Sequence, residues 1–144
     1  MMERITEHAE REYPKECCGV ILGSMAKDPK LSAVISCTNI QDAMHEADSC
    51  GFSRTSETAF FIDPAELLRI HKLGRERNEQ IRVIYHSHID CGAYFSDEDK
   101  RNALLECGEP AYPDAQYLVL SVLKRKVEQA KLFFWDKFKR DFIE

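Results

Sequence analysis

The stretch IRVIYHSHIDCGAYFSDED, residues 81–99, decides how the chain is read. Residues 81–88 are largely apolar and β-branched and predict a strand. Residues 89–95, with Gly92 among them, predict a loop, and Ser96 opens a helix over 97–106. Side chains two apart on a strand leave the same face, so His86 and His88 project together while Ser87 points to the other side. Imidazoles so placed can share a transition metal, and zinc suits them best. Two histidines at the wet end of a strand would look the same in sequence.

Ser96 and Asp99 make an S-x-x-D pattern at the head of the helix, where Ser96 caps and Asp97, Glu98 and Asp99 complement the positive end. Capping does not preclude chemistry here. A strand ending at His88 and a helix starting at Ser96 can bring Asp99 back over the histidines as a third ligand. Two histidines and one aspartate leave the fourth tetrahedral position to water, the arrangement of a catalytic zinc site. Hydrolysis also needs a general base that is not a ligand. Glu16, between Pro14 and the apolar run that starts at Cys17, is the candidate; an exposed turn residue is the plainer reading.

Outward from this centre, residues 2–13 predict a helix with Met2, Ile5, Ala9 and Tyr13 on one face, ended by Pro14. CCGVILGS, 17–24, and KLSAVISCTNI, 30–40, read as strands. Residues 42–58 are polar, carry Gly51, and read as a loop able to move. Asp63 and Pro64 open a helix as N-cap and first residue, with Leu67, Leu68, Ile70 and Leu73 as its apolar stripe and Gly74 as a weak point. His71 reads as a partly buried residue of that helix. QYLVLSVL and VEQAKLFFWD, separated by a short KRK turn, read as two more strands. The pattern is mixed α/β, a single domain over residues 1–144.

The formal net charge of −5 speaks against a nucleic-acid binder, and the basic cluster KLGRER, 72–77, reads as a solvated helix end. No apolar run reaches the roughly 18 residues of a membrane span, and the first residues hold no apolar signal core. A cytoplasmic location is therefore expected. The six cysteines include no C-x-x-C pair and read as reduced, small apolar residues.

YPKECCGVILG, 13–23, together with HSH-x7-S-x2-D downstream, resembles the JAMM/MPN+ metallopeptidases, whose pattern is a distant Glu and then H-x-H-P-x6-S-x2-D. FIDPAELLRIHK, 61–72, resembles the family's intervening helix, and YPDAQYLVLSV, 112–122, the strand after the motif. The likeness is greatest to a short bacterial branch that includes peptidases removing cysteine or other groups from the C-termini of sulfur-carrier proteins. The resemblance implies a JAMM/MPN-like (cytidine-deaminase-like) fold, a curved mixed β-sheet flanked by helices. It implies one zinc ion held by His86, His88 and Asp99, with Glu16 moving a proton from water to the leaving amine and Ser96 donating to the oxyanion. It also implies that the C-terminal tail of a ubiquitin-like or sulfur-carrier protein adds to a sheet edge, for which strand 30–40 is the candidate. Ile89 replaces the usual proline, which predicts a less rigid loop beyond the strand.

Other classes remain open at this level. Cys91 or Cys17 could act as a nucleophile with His86 as base, giving a thiol hydrolase. An inactive scaffold of the same fold is another possibility. A zinc nucleoside deaminase is not supported, since its H-x-E and P-C-x-x-C signatures are missing.

Overall fold

A six-stranded sheet organises the computed structural model, which describes residues 1–144. The elements in chain order are α1 (Met2–Glu12), β1 (Cys18–Ser24), β2 (Leu31–Cys37), α2 (Gln41–Ala47), α3 (Pro64–Arg77), β3 (Glu79–Ile89), α4 (Asp97–Ala103), β4 (Gln116–Leu123), β5 (Lys126–Asp136) and β6 (Asp141–Ile143). The strand order is β2-β1-β3-β4-β5-β6, with β3 and β4 parallel and every other neighbouring pair antiparallel. This is the mixed-sheet α+β architecture the sequence predicts. No helix is long and apolar enough to cross a membrane.

The central strands are the most apolar because both faces are covered. On one face Val20, Leu22, Ile84, Phe95, Val119 and their neighbours form a core that includes Ile70 of α3. On the other, Ile21, Val83, Leu118 and Leu120 pack with Ile5 and Ala9 of α1. Ile5 and Ala9 are fully buried as their spacing predicts, whereas Met2 stays half exposed at the helix start. The second face also contains a closed polar set. Tyr85 Oη lies 3.0 Å from His8 Nδ1 and donates to Ser36 Oγ at 3.2 Å, and Cys17 N donates to Ser87 Oγ at 2.8 Å. Gly19, opposite Tyr85 in the β1–β3 ladder, leaves space for that ring; a Cβ there would collide with the ring carbon and the hydroxyl.

Three local expectations are corrected, and one strand is additional to them. Residues 42–58 are not simply a loop: α2 occupies the first part, although no side chain caps it. It is held from outside, by Lys15 on Asp42 at 2.8 Å and by Gln41 Nε2 donating to Arg54 O at 2.8 Å. Asp42 also accepts from Ser56 N and Ser56 Oγ, both at 2.7 Å, so the remaining segment is pinned as well. Gly74 does not stop α3, which runs on to Arg77 and ends on Asn78 in the left-handed region (φ 54°). Glycine is needed at 74 because a Cβ would sit 2.8 Å from the carbonyl of Glu79, where the chain turns back into β3. Helix α4 ends at Ala103, three residues earlier than expected, because Leu104 leaves it to bridge Pro110. Finally, β6 extends the sheet through pairing with β5, a strand too short for periodicity to reveal.

Ile89 does not loosen the turn beyond it. It pairs with Val122, and Asp90, in the left-handed region at φ 52°, is fixed by three bonds. The Asp90 N–H donates to Val122 O at 2.8 Å, while its carboxylate accepts from Tyr13 Oη at 2.8 Å and Lys124 N at 2.9 Å. Hydrogen bonds thus hold the turn that a proline would have restricted through φ.

Candidate metal centre

The β3–loop–α4 unit brings His86, His88 and Asp99 to one point. His86 Nε2 lies 3.2 Å from His88 Nε2 and 3.3 Å from Asp99 Oδ1, and His88 Nε2 lies 3.3 Å from Asp99 Oδ2. Ligands about 2.0–2.1 Å from a tetrahedral zinc are spaced about 3.3 Å apart, so the three separations fit one ion. All three residues are buried, His86 completely.

Protonation supports the same fit. His88 Nδ1 is 3.2 Å from the carbonyl of Gly92, which can only accept. In the tautomer that donates from Nδ1 to this carbonyl, the Nε2 lone pair faces Asp99 and His86. Asp99 Oδ2 already accepts from Ser96 N at 2.8 Å and Ser96 Oγ at 2.6 Å. In that tautomer the His88 nitrogen and the Asp99 oxygens meet as buried acceptors, which a divalent cation would satisfy together. Burial alone would raise the Asp99 carboxyl, yet His86, His88 and Ser96 pull it far below the usual carboxylate range. The rings are held by aromatic neighbours: Phe60 stacks on His86 at 4.5 Å and Tyr94 meets His88 edge-on at 4.7 Å.

Ser96 and Asp99 form a full capping box. Asp99 N donates to Ser96 Oγ at 3.1 Å while the Asp99 carboxylate accepts from the Ser96 amide. Capping and metal geometry therefore share the same side chains, with the Ser96 hydroxyl proton directed to Asp99.

Glu16 is buried and lines the same cleft as His88, Ser96, Asp99, Arg54 and Cys91, around a cavity of about 140 Å³. Its backbone is gripped on both sides: Glu16 N donates to Ser56 O at 2.7 Å, and Asn39 Nδ2 donates to Glu16 O at 2.9 Å. Burial first, and the Asp99 carboxylate second, push its carboxyl up to about 9. The exposed-turn reading of Glu16 is thereby corrected.

The two thiols fare differently. Cys17 is buried and its thiol is pushed up to about 12, chiefly by burial, which disfavours a nucleophilic thiolate there. Cys91 is exposed in the cleft wall, but partial desolvation raises its pKa too, which disfavours the thiolate. His71 stacks on Tyr112, with Nε2 3.0 Å from its hydroxyl, and takes no part in the cleft.

Asn39, Arg54 and Phe60 were not evident as site residues from sequence. Asn39 uses its whole amide, donating to Glu16 O and Ala59 O and accepting from Gln41 N and Phe61 N. None of the three belongs to a spaced motif, and each matters only because of where the chain returns.

Comparison with known proteins is consistent with this geometry. The profile of the family described as prokaryotic homologs of the JAB domain matches residues 1–136. CysO-cysteine peptidases of Mycobacterium bovis and Mycobacterium tuberculosis are 29% identical over 121 residues, which is 84% of this chain and 68% of theirs. A solution structure of a Desulfitobacterium hafniense protein, 27% identical, superposes with a TM-score of 0.71 over 99% of this chain and 84% of that one. A Salinibacter ruber protein at 22% identity shares the fold, with a TM-score of 0.63 over 99% of this chain and 82% of the other.

Proposed function

The chain belongs to the prokaryotic JAB-domain family, and on that premise we propose that it is a zinc-dependent peptidase acting at the C-terminal tail of a sulfur-carrier or other ubiquitin-like protein. The observation that carries this reading is the convergence of His86, His88 and Asp99 at metal-ligand spacing, with Glu16 in the same cleft. His86, His88 and Asp99 would hold one zinc ion. When bound, zinc supplies Lewis acidity that polarises a scissile carbonyl and makes water a better acid.

The remaining work belongs to the chain's own groups. Glu16 takes a proton from the attacking water and delivers it to the departing nitrogen. Its raised pKa suits it to hold that proton, and a nearby cation favours return to the ionised form that a base requires. Ser96 donates to the oxyanion after its hydroxyl turns from Asp99 to the substrate, a rotation about one single bond. Strand β2 is the free edge on the site's side of the sheet, where Cys37, Cys18 and His86 lie in one row across β2, β1 and β3. A tail added there would lie beside the cleft. A cytoplasmic location fits a chain whose six cysteines are all free.

The test is to incubate the zinc-loaded protein with a sulfur-carrier protein extended at its C-terminus by cysteine and to monitor the carrier's mass. The expected result is loss of the added residue, abolished by EDTA, restored by zinc and indifferent to iodoacetamide. Inhibition by the thiol reagent alone would move the reading to a cysteine hydrolase. A chain that neither retains zinc nor cleaves would be a scaffold.

A further inference from the structure

Four carboxylates, those of Glu16, Glu57, Glu98 and Asp99, line the cleft, and Arg54 is the one permanently charged cation among its lining residues. Arg54 is placed with care for a residue outside any helix or strand. Its carbonyl accepts from the buried Gln41 amide, its Nε lies 2.6 Å from Glu98 Oε2 in an ion pair, and its Nη1 donates to Thr58 O at 3.3 Å. The side chain nevertheless remains 46% exposed. A guanidinium has five N–H donors, and the Nη2 pair here has no protein partner. One edge of the group is clamped, while a terminal nitrogen is free to take a ligand. A planar fork of this kind matches a carboxylate.

Resting on the function proposed above, we propose that Arg54 anchors the free α-carboxylate of the residue released from the substrate, so that the enzyme removes one terminal amino acid in preference to cutting inside a longer chain. Beside the carboxylates of Glu57, Glu98 and Asp99, Arg54 is the lining group whose fixed positive charge attracts the carboxylate of a departing amino acid. The anchor would orient the amide, and the clamp by Glu98 and Thr58 lowers the cost of ordering the arginine. Bond balance is that of simple hydrolysis. The C–N bond breaks, hydroxyl from water joins the carrier's carbonyl carbon, and the remaining hydrogen joins the nitrogen of the departing amino acid.

The experiment compares two substrates with the zinc-loaded full chain: a carrier ending in cysteine as the free acid, and the same carrier ending in cysteine α-carboxamide. The free acid should have the higher kcat/KM by roughly 10- to 100-fold, the range expected for a hydrogen-bonded charge pair, and mainly through KM. Arg54→Gln should bring the two substrates together by slowing the acid, and Arg54→Lys should retain part of the preference as a charge without the fork. Equal rates for acid and amide in the unaltered protein would overturn the proposal. So would an Arg54→Gln variant that slows both substrates in proportion, since Arg54 would then only tether the loop to α4. Cleavage of neither substrate would bring down the peptidase reading itself, and this inference with it, a result distinct from equal cleavage of both.

Discussion

Under α1, one face of β3 presents Tyr85 and Ser87; on the opposite face the same strand presents His86 and His88. Both faces bury imidazole, since His8 reaches Tyr85 from α1. The difference lies in how protons and lone pairs are matched. On the α1 face His8, Tyr85 and Ser36 form a chain in which donors meet acceptors, and Ser87 is fixed by the Cys17 amide. On the other face, His88 Nε2, His86 Nε2 and the Asp99 oxygens crowd together as metal-ligating atoms, while His86 Nδ1 is buried without a partner. A closed polar set stabilises a fold. Converging ligand atoms beside an unmatched nitrogen can instead hold a cation. Burial and residue type do not separate the two faces; the matching of donors to acceptors does.

That contrast can be broken most sharply at Asp99. Asp99→Asn should reduce zinc after dialysis from one per chain to near none, measured by metal analysis, and turnover should go with it. A variant that kept its metal would leave Asp99 as a helix cap only. Glu16→Gln should lower turnover by roughly 10²- to 10⁴-fold while zinc content stays unchanged. Loss of metal in that variant would make Glu16 a ligand. On the closed face, Tyr85→Phe should cost about 1–3 kcal/mol in denaturant unfolding, because it strands partners at His8 and Ser36, yet leave zinc content and turnover in place. A change in metal binding would show that the two faces are coupled.

The smallest expected effect concerns pH. The Lys15 ammonium, with the Ser56 amide and hydroxyl behind it, draws Asp42 from its ordinary 3.8 to about 2. A carboxyl depressed in the folded state contributes stability that is present above its unfolded pKa and lost as pH falls through the folded value. The contribution of Asp42 should therefore be intact above about pH 4 and disappear towards pH 2. In acid titrations monitored by circular dichroism, Asp42→Asn should be less stable than the parent near neutrality, with the difference narrowing over that window. A constant difference would mean that the pair adds nothing through charge.

What could be read in advance was local. The strand to His88, the turn at Gly92 and the cap at Ser96 each arise from side chains within a few positions of one another. The same holds for α3, whose Asp63 side chain accepts from Ala65 N at 2.8 Å. Helix α2 could not be read, because it lacks a capping side chain and depends on Lys15, Arg54 and Ser56 from other segments. Nor could β6, whose three residues become a strand only by pairing with β5. At and around the site, His86, His88, Ser96 and Asp99 stand within one spaced motif, whereas Asn39 and Arg54 carry no local signal.

Most of the elements and the motif residues could be read straight from the chain, since helix caps, alternation along strands and ligand spacing are short-range properties. Folding, by contrast, put Glu16, far from His88 along the chain, into the cleft that His88 lines. It also decided that Arg54 is clamped there with a nitrogen free, and that Cys17 lies on the packed side. The reason is physical. Lone pairs, charges and thiols acquire their chemistry from solvent exclusion and from neighbours across the sheet, and those neighbours are chosen by packing.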